Sequence, residues 1–107
     1  MDDPDVNLPI RWLAQAAAEL AHEVGRVHGS KGHEDAEKFL HAVNKQVGLL
    51  AAYPHSGRPG RVEGTRELLT HDRKWILLYR VLADVEVQIL AFVSSRRDVD
   101  KALRERE

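Results

Sequence analysis

The chain contains no cysteine. Disulfides, thiolate zinc sites and cysteine nucleophiles are therefore excluded, and the absence suits a reducing cytoplasm. No apolar run approaches the ~20 residues that a membrane helix needs. The opening Asp2-Asp3-Pro4-Asp5 is acidic where a secretory leader is basic, so a cytoplasmic protein is expected. There is little charge excess: 16 Lys and Arg against 17 Asp and Glu give a net charge of -1, which argues against general nucleic-acid binding. The catalytic motifs of common enzyme classes are missing too. No serine sits in Gly-x-Ser-x-Gly. Gly57-Arg58-Pro59-Gly60 lacks the Gly-Lys-Ser/Thr ending of a phosphate-binding loop. His22, His28, His33 and His41 never fall at the i, i+4 spacing of a helical zinc pair, so neither a metal nor another cofactor is expected. The sequence has no internal repeat and no low-complexity segment.

What is present fits one domain over residues 1–107, of a length that buries roughly 65% of its unfolded surface. Residues 1–7 are polar and expected to fray, and residues 98–107 read as a charged helix or tail. Leu8 to Trp12 is a candidate edge strand, since Pro9 is tolerated only at an edge or a strand start. Leu13, Ala17, Leu20, Val24 and Val27 then form one apolar helical stripe, with Gly29 as its expected stop. A second helix begins near His33 or Glu34. Glu34, Asp35 and Glu37 suit its N-terminus, and Ala36, Leu40, Val43, Val47 and Leu50 line one face, widened by Phe39 and Leu49. It must end near Tyr53, because Pro54 disfavours helical geometry in the preceding residue.

Beyond the loop at 54–65 the hydrophobic period changes from 3.6 to 2. Residues 66–70 form a short strand candidate, and Trp75 to Leu82 a strand apolar on both faces, hence central. After the tight link Ala83-Asp84, Val85, Val87, Ile89, Ala91 and Val93 alternate as one apolar face. A short strand, two helices and three antiparallel strands make an α+β fold, with the helices segregated to one face of a small sheet.

Charge is distributed unevenly. Residues 1–54 hold 5 Lys and Arg against 8 Asp and Glu, and residues 55–107 hold 11 against 9. Arg58, Arg61 and Arg66 occupy or border the Gly/Pro-rich loop. Their five-donor guanidinium forks suit carboxylate, phosphate or carbonyl partners. Arg80 lies in an otherwise apolar strand and must either pair, with Glu67 or Glu86, or face solvent. Arg96 and Arg97 follow the last strand and extend the candidate patch. Glu63 and Glu67 read as surface partners of neighbouring arginines, an arrangement that contributes little.

Several of these segments resemble the ParE branch of the RelE/ParE toxins of bacterial type II toxin–antitoxin systems. The matching residues are Arg11-Trp12, Leu49-Leu50-Ala51-Ala52-Tyr53-Pro54, the run from Gly57 to Leu68, Leu78-Tyr79-Arg80-Val81, and Val87 to Ala91 running on to Arg97-Asp98. The resemblance implies an α+β fold in which an N-terminal strand and a helical hairpin pack on a small, mostly antiparallel sheet. It implies inhibition of DNA gyrase by binding, and neutralisation by a cognate ParD-like antitoxin in a toxin–antitoxin hetero-oligomer. Operator DNA would be reached only through the antitoxin. Arg58, Arg61, Arg66, Arg80 and Arg97 become the expected contacts to target or antitoxin. Leu20, Val24, Val27, Phe39, Val43 and Leu49 exceed what one small sheet face covers, so an apolar antitoxin groove is expected there. The RelE branch cleaves mRNA on the ribosome and is the alternative, as is a non-toxic homologue that only binds antitoxin. Two departures bear on this choice. Ile76 stands where the nuclease branch often has a catalytic arginine, and no Tyr or His follows the last strand. Ser94 stands where many ParE members carry a histidine.

Overall fold

The computed structural model describes residues 7–105; the expected fraying of residues 1–7 falls almost wholly outside them. The elements are β1 (Ile10–Trp12), α1 (Ala14–Lys31), α2 (His33–Ala52), β2 (Arg58–Pro59), β3 (Arg66–Leu69), β4 (Trp75–Leu82), β5 (Glu86–Ser94) and α3 (Val99–Arg104). The strands form one sheet in the order β1-β5-β4-β3-β2. β4 is its centre, as its two apolar faces require. β1 runs parallel to β5 and every other pairing is antiparallel. The two-residue β2 was not legible in the sequence, because a single Arg-Pro pair carries no periodicity. It lies at the sheet edge, where a proline costs no ladder bond.

The helices form the expected hairpin, with two adjustments. α1 runs through Gly29 and stops at Gly32, whose φ of +94° lies in the region that glycine alone enters cheaply. A single glycine inside a helix costs only about 1 kcal/mol, so Gly29 does not terminate it. The buried stripe of α1 is also rotated by one residue. It runs through Ala16, Leu20, Glu23 and Val27, and Ala17 is exposed. The buried Glu23 is paired with Arg26, so a carboxylate sits where an apolar pattern has no reason to place one. α2 buries Ala36, Val43, Val47 and Leu50, and also Gln46.

Against the hairpin, the sheet buries Leu77, Tyr79, Val87, Ile89 and Phe92. Phe92 stacks on Trp75 with centroids 4.8 Å apart, and Phe39 of α2 meets both rings edge-on. The expected single apolar face of β5 is broken. Leu78 lies opposite Ala91 but Tyr79 lies opposite Ile89, so Leu90 is an extra residue in β5. Such a bulge reverses the alternation beyond it. Val87 and Ile89 therefore face the hairpin, while Ala91 and Val93 face the opposite side. There they pack with Ile76, Leu78 and Val99, the last brought by α3. The charged C-terminal segment is thus a helix that covers part of the outer sheet face, its first turn capped by Asp98, whose side chain accepts the Lys101 N–H.

Candidate functional site

The loop that follows α2 is fixed by Tyr79. This side chain is fully buried, and its hydroxyl donates to the Pro54 carbonyl at 2.9 Å while accepting the Gly57 N–H at 2.9 Å. From that anchor the chain enters β2 beside β3, with Arg58 opposite Glu67 and Pro59 opposite Arg66. Glu67 in turn lies opposite Leu78, on the outer face of the sheet.

Glu67 is the centre of the cationic cluster. Its side chain is only 3% exposed, which corrects the expectation of a surface glutamate. Oε2 accepts the Arg61 backbone N–H at 2.9 Å and Arg61 Nε at 2.8 Å. Oε1 accepts Arg61 Nη2 at 3.0 Å and Arg58 Nη2 at 3.2 Å. Arg61 also reaches α3, donating from Nη1 to Asp100 Oδ1 at 3.4 Å. A fork-to-fork arginine pair reinforced by a backbone N–H is the strong form of this interaction. The side-chain bonds from Arg61 overcome the effect of burial and hold the Glu67 carboxyl down at about 2, against an ordinary 4.5.

That shift fixes a pH window. A carboxyl with a depressed folded-state value contributes its stability above the unfolded value and loses it as the pH falls through the folded one. Stability from Glu67 is therefore complete above about pH 5 and lost towards pH 2. The stability gap between the wild type and Glu67→Gln is expected to narrow by about 3 kcal/mol from pH 6 to pH 2, as read from urea unfolding at each pH. A gap that does not change with pH would refute this account of Glu67.

The remaining arginines are dispersed. Arg66 Nη1 donates to the carbonyls of His55 at 3.2 Å and Gly57 at 2.7 Å, tying the loop to β3. Arg80 is exposed; its Nε donates to Gln88 at 2.7 Å, and Gln88 donates on to Glu86. It thus pairs with neither Glu67 nor Glu86 directly. Arg97 is exposed near the far end of β4, where Trp75 faces Ser94. Five strand positions, about 17 Å, separate Trp75 from Arg80. The structure thus gathers Arg58, Arg61 and Arg66 around the loop and leaves Arg80 and Arg97 apart. Ile76 is buried on the outer face in the cluster that α3 covers.

The apolar candidates divide as well. Val43 is buried in the core, and Leu20 and Phe39 pack against it. Val24 and Val27 are half-buried on α1. Leu49, by contrast, is 50% exposed. It lines a groove of about 400 Å³ with Gln46, Tyr53, Ser56, Leu68, Leu69 and His71. An apolar groove therefore lies between α2 and β3, while Leu20, Phe39 and Val43 of the hairpin are taken up by the sheet. A second cleft, of about 380 Å³, lies between α1 and the end of β5; Glu19, His22, Ser94 and Arg97 are among its walls. Gln46 and His22 could not be singled out by residue pattern, since a polar residue on a helix signals nothing until its neighbours are known.

Over residues 10–99 the sequence matches the family described as the ParE toxin of type II toxin-antitoxin system, parDE. It is 38% identical over 78 residues to the Sinorhizobium fredii protein named "Putative toxin Y4kP", covering 73% of this chain and 80% of that protein. In the solved structure of the chromosomal ParDE TA system from P. aeruginosa, one chain superposes with a TM-score of 0.72 at 29% identity. That match covers 81% of this chain and 95% of the other. The sheet order, the helical hairpin and the family match over most of its length place this chain in the ParE toxin family of type II toxin–antitoxin systems.

Proposed function

We propose that this protein is a toxin that inhibits DNA gyrase by binding, without catalysis of its own, and that a cognate antitoxin neutralises it in a hetero-oligomer in the cytoplasm. The observation that carries the non-catalytic reading is the Glu67 cluster. Arg61 is committed to a buried carboxylate and Arg66 to main-chain carbonyls. A nuclease needs such groups free around a scissile phosphate, with a general acid or base in reach. The position of Ile76 beneath α3 agrees with this reading.

Arg61 and Arg66 then act as positioning residues, while Arg58, Arg80 and Arg97 present exposed guanidinium groups to the target. The loop presents Arg58 at a fixed place because its backbone is held by Tyr79 and its far side by Glu67. Charge-assisted contacts of this kind suit carboxylates on a protein surface.

The purified protein is expected to block gyrase supercoiling and to leave mRNA uncut in a translating-ribosome assay. The combined variant Arg58→Ala, Arg80→Ala, Arg97→Ala is expected to weaken gyrase inhibition at least tenfold. Unchanged supercoiling together with new codon-dependent cuts would overturn the reading in favour of a ribosome-dependent ribonuclease. Inactivity in both assays would identify a homologue that retains antitoxin binding alone.

A further inference from the structure

Two turns meet at the end of the sheet where Trp75 lies opposite Ser94. One joins β3 to β4 and the other joins β5 to α3. Ser95 ties them together: its hydroxyl donates to the Arg73 carbonyl at 2.6 Å, and its N–H donates to the Lys74 carbonyl at 2.9 Å. Each turn is also stiffened from within. The Arg73 N–H donates to the Thr70 carbonyl, and Asp72 accepts both the Thr70 hydroxyl and the Lys74 N–H. In the second turn the Arg96 N–H donates to the Ser94 hydroxyl, and Asp98 accepts the Lys101 N–H.

This junction brings Arg73 and Lys74 beside Arg96, with Arg97 bordering them. All four are exposed. Among the described residues, none of them has a carboxylate within ion-pair distance. The two carboxylates in the turns, Asp72 and Asp98, are directed to hydroxyl and main-chain donors instead. The backbone at Arg73 is a second observation. Its φ of +64° lies where glycine or asparagine costs less than arginine. Ala83 and Asp84 also have positive φ, but they form the tight β4–β5 link, which demands it of both positions. Strain held at a single exposed cation points to a use for its side chain.

The chemistry of the surface selects the partner. None of the exposed large apolar side chains lies in either turn. A protein interface needs an apolar centre, whereas a phosphate backbone needs only donors and positive charge held in fixed places. Single strands are gripped by stacking bases on aromatic rings. The aromatic residue here, Trp75, is half-buried and already stacked on Phe92. The junction therefore fits a duplex, whose bases are already stacked on one another. The near-neutral charge of the whole chain does not oppose this, because salt confines each exposed charge to about 8–10 Å.

We infer that the two turns hold the phosphate backbone of duplex DNA, through Arg73, Lys74 and Arg96, without reading its sequence. The contact is separate from the gyrase reading given above and needs no gyrase to form.

The test follows the fluorescence anisotropy of a short labelled duplex as the full-length protein is added, over about 50–200 mM salt. Three phosphate contacts predict that log K falls against log salt with a slope of about -3. The triple variant Arg73→Gly, Lys74→Ser, Arg96→Ser keeps every main-chain bond of the turns. It is expected to bind at least tenfold more weakly at the lowest salt and to at least halve the slope. Arg11→Ser, Lys45→Ser, Arg104→Ser removes the same charge from exposed positions outside both turns and is expected to leave binding unchanged. Unchanged thermal midpoints show that both variants are folded. No binding by the wild type, or equal weakening by the two triple variants, would overturn the inference. Polyglutamate competing as well as unlabelled duplex would overturn DNA as the partner in favour of an acidic protein surface. Because gyrase is absent from the assay, none of these outcomes bears on the gyrase reading.

Discussion

Arg61→Ala is expected to cost about 3 kcal/mol of folding stability, whereas Arg58→Ala is expected to cost less than about 1 kcal/mol. Both side chains bond the same carboxylate, so the difference rests on burial and on the number of bonds. Arg61 is 31% exposed and supplies three of the four hydrogen bonds that Glu67 accepts. Arg58 is 66% exposed and supplies one, at 3.2 Å. Alanine at 61 keeps the backbone N–H but strips the fork, leaving a carboxylate that is 3% exposed in the wild type with that N–H and the exposed Arg58 as its remaining partners. Breaking a buried pair from one side costs about 3–5 kcal/mol, because the remaining ion is stranded. The lower end applies here, since loss of the Arg61 side chain also admits water. The Asp100 contact of Arg61 disappears as well, loosening α3 from the loop. Urea unfolding at neutral pH measures both variants. Equal losses, or a larger loss for Arg58→Ala, would refute the assignment of Arg61 as the structural arginine and Arg58 as the exposed one.

Gly57→Ala is expected to be of similar size, at about 3 kcal/mol. A Cβ there would stand 2.6 Å from Tyr79 Oη, 2.8 Å from Tyr79 Cε1 and 2.8 Å from the Glu67 carbonyl oxygen. The ring is fully buried and the carbonyl belongs to β3, so neither neighbour can yield. The loop must lift, and the two hydrogen bonds of the Tyr79 hydroxyl go with it. Tyr79→Phe removes those bonds without the clash and is expected to cost about 2 kcal/mol, because the Gly57 N–H loses its partner. The two substitutions share one contact, so the double variant should be less destabilised than the sum of the singles, since phenylalanine lacks the closest clashing atom. Strict additivity in thermal or urea unfolding would show that the loop is not anchored through this hydroxyl. Under the proposed gyrase reading, both variants should also weaken inhibition beyond their effect on stability, since the anchored loop holds Arg58 in place.

The loop shows how far the residues alone reach. Its glycines, prolines and arginines marked it as a place where the backbone is constrained and charge is concentrated. Which arginine is free and which is committed was not legible, because that depends on Glu67 facing the outer side of the sheet. Strand register decides this: one residue of slip would turn Glu67 to the hairpin face. Which apolar residues of the hairpin stay exposed was not legible for a related reason. Leu20, Phe39 and Val43 satisfy a helical stripe equally well whether they meet a partner or their own sheet. Only the packing of α1 and α2 shows that the sheet takes them and leaves Leu49 over.

The sequence by itself determined the order of elements, the helical hairpin, the central position of β4 and the resemblance to the ParE toxins, since periodicity, proline placement and the Gly57 to Leu68 run are local properties of the chain. The tertiary structure decided the rest: the bulge at Leu90 that turns Ala91 and Val93 towards α3, the burial of Glu67 beneath Arg61, and the joining of two cationic turns through Ser95. Each of these depends on which residues face one another across strands distant in sequence. A local pattern states what a side chain prefers to touch; the register and the packing of the sheet fix what it does touch.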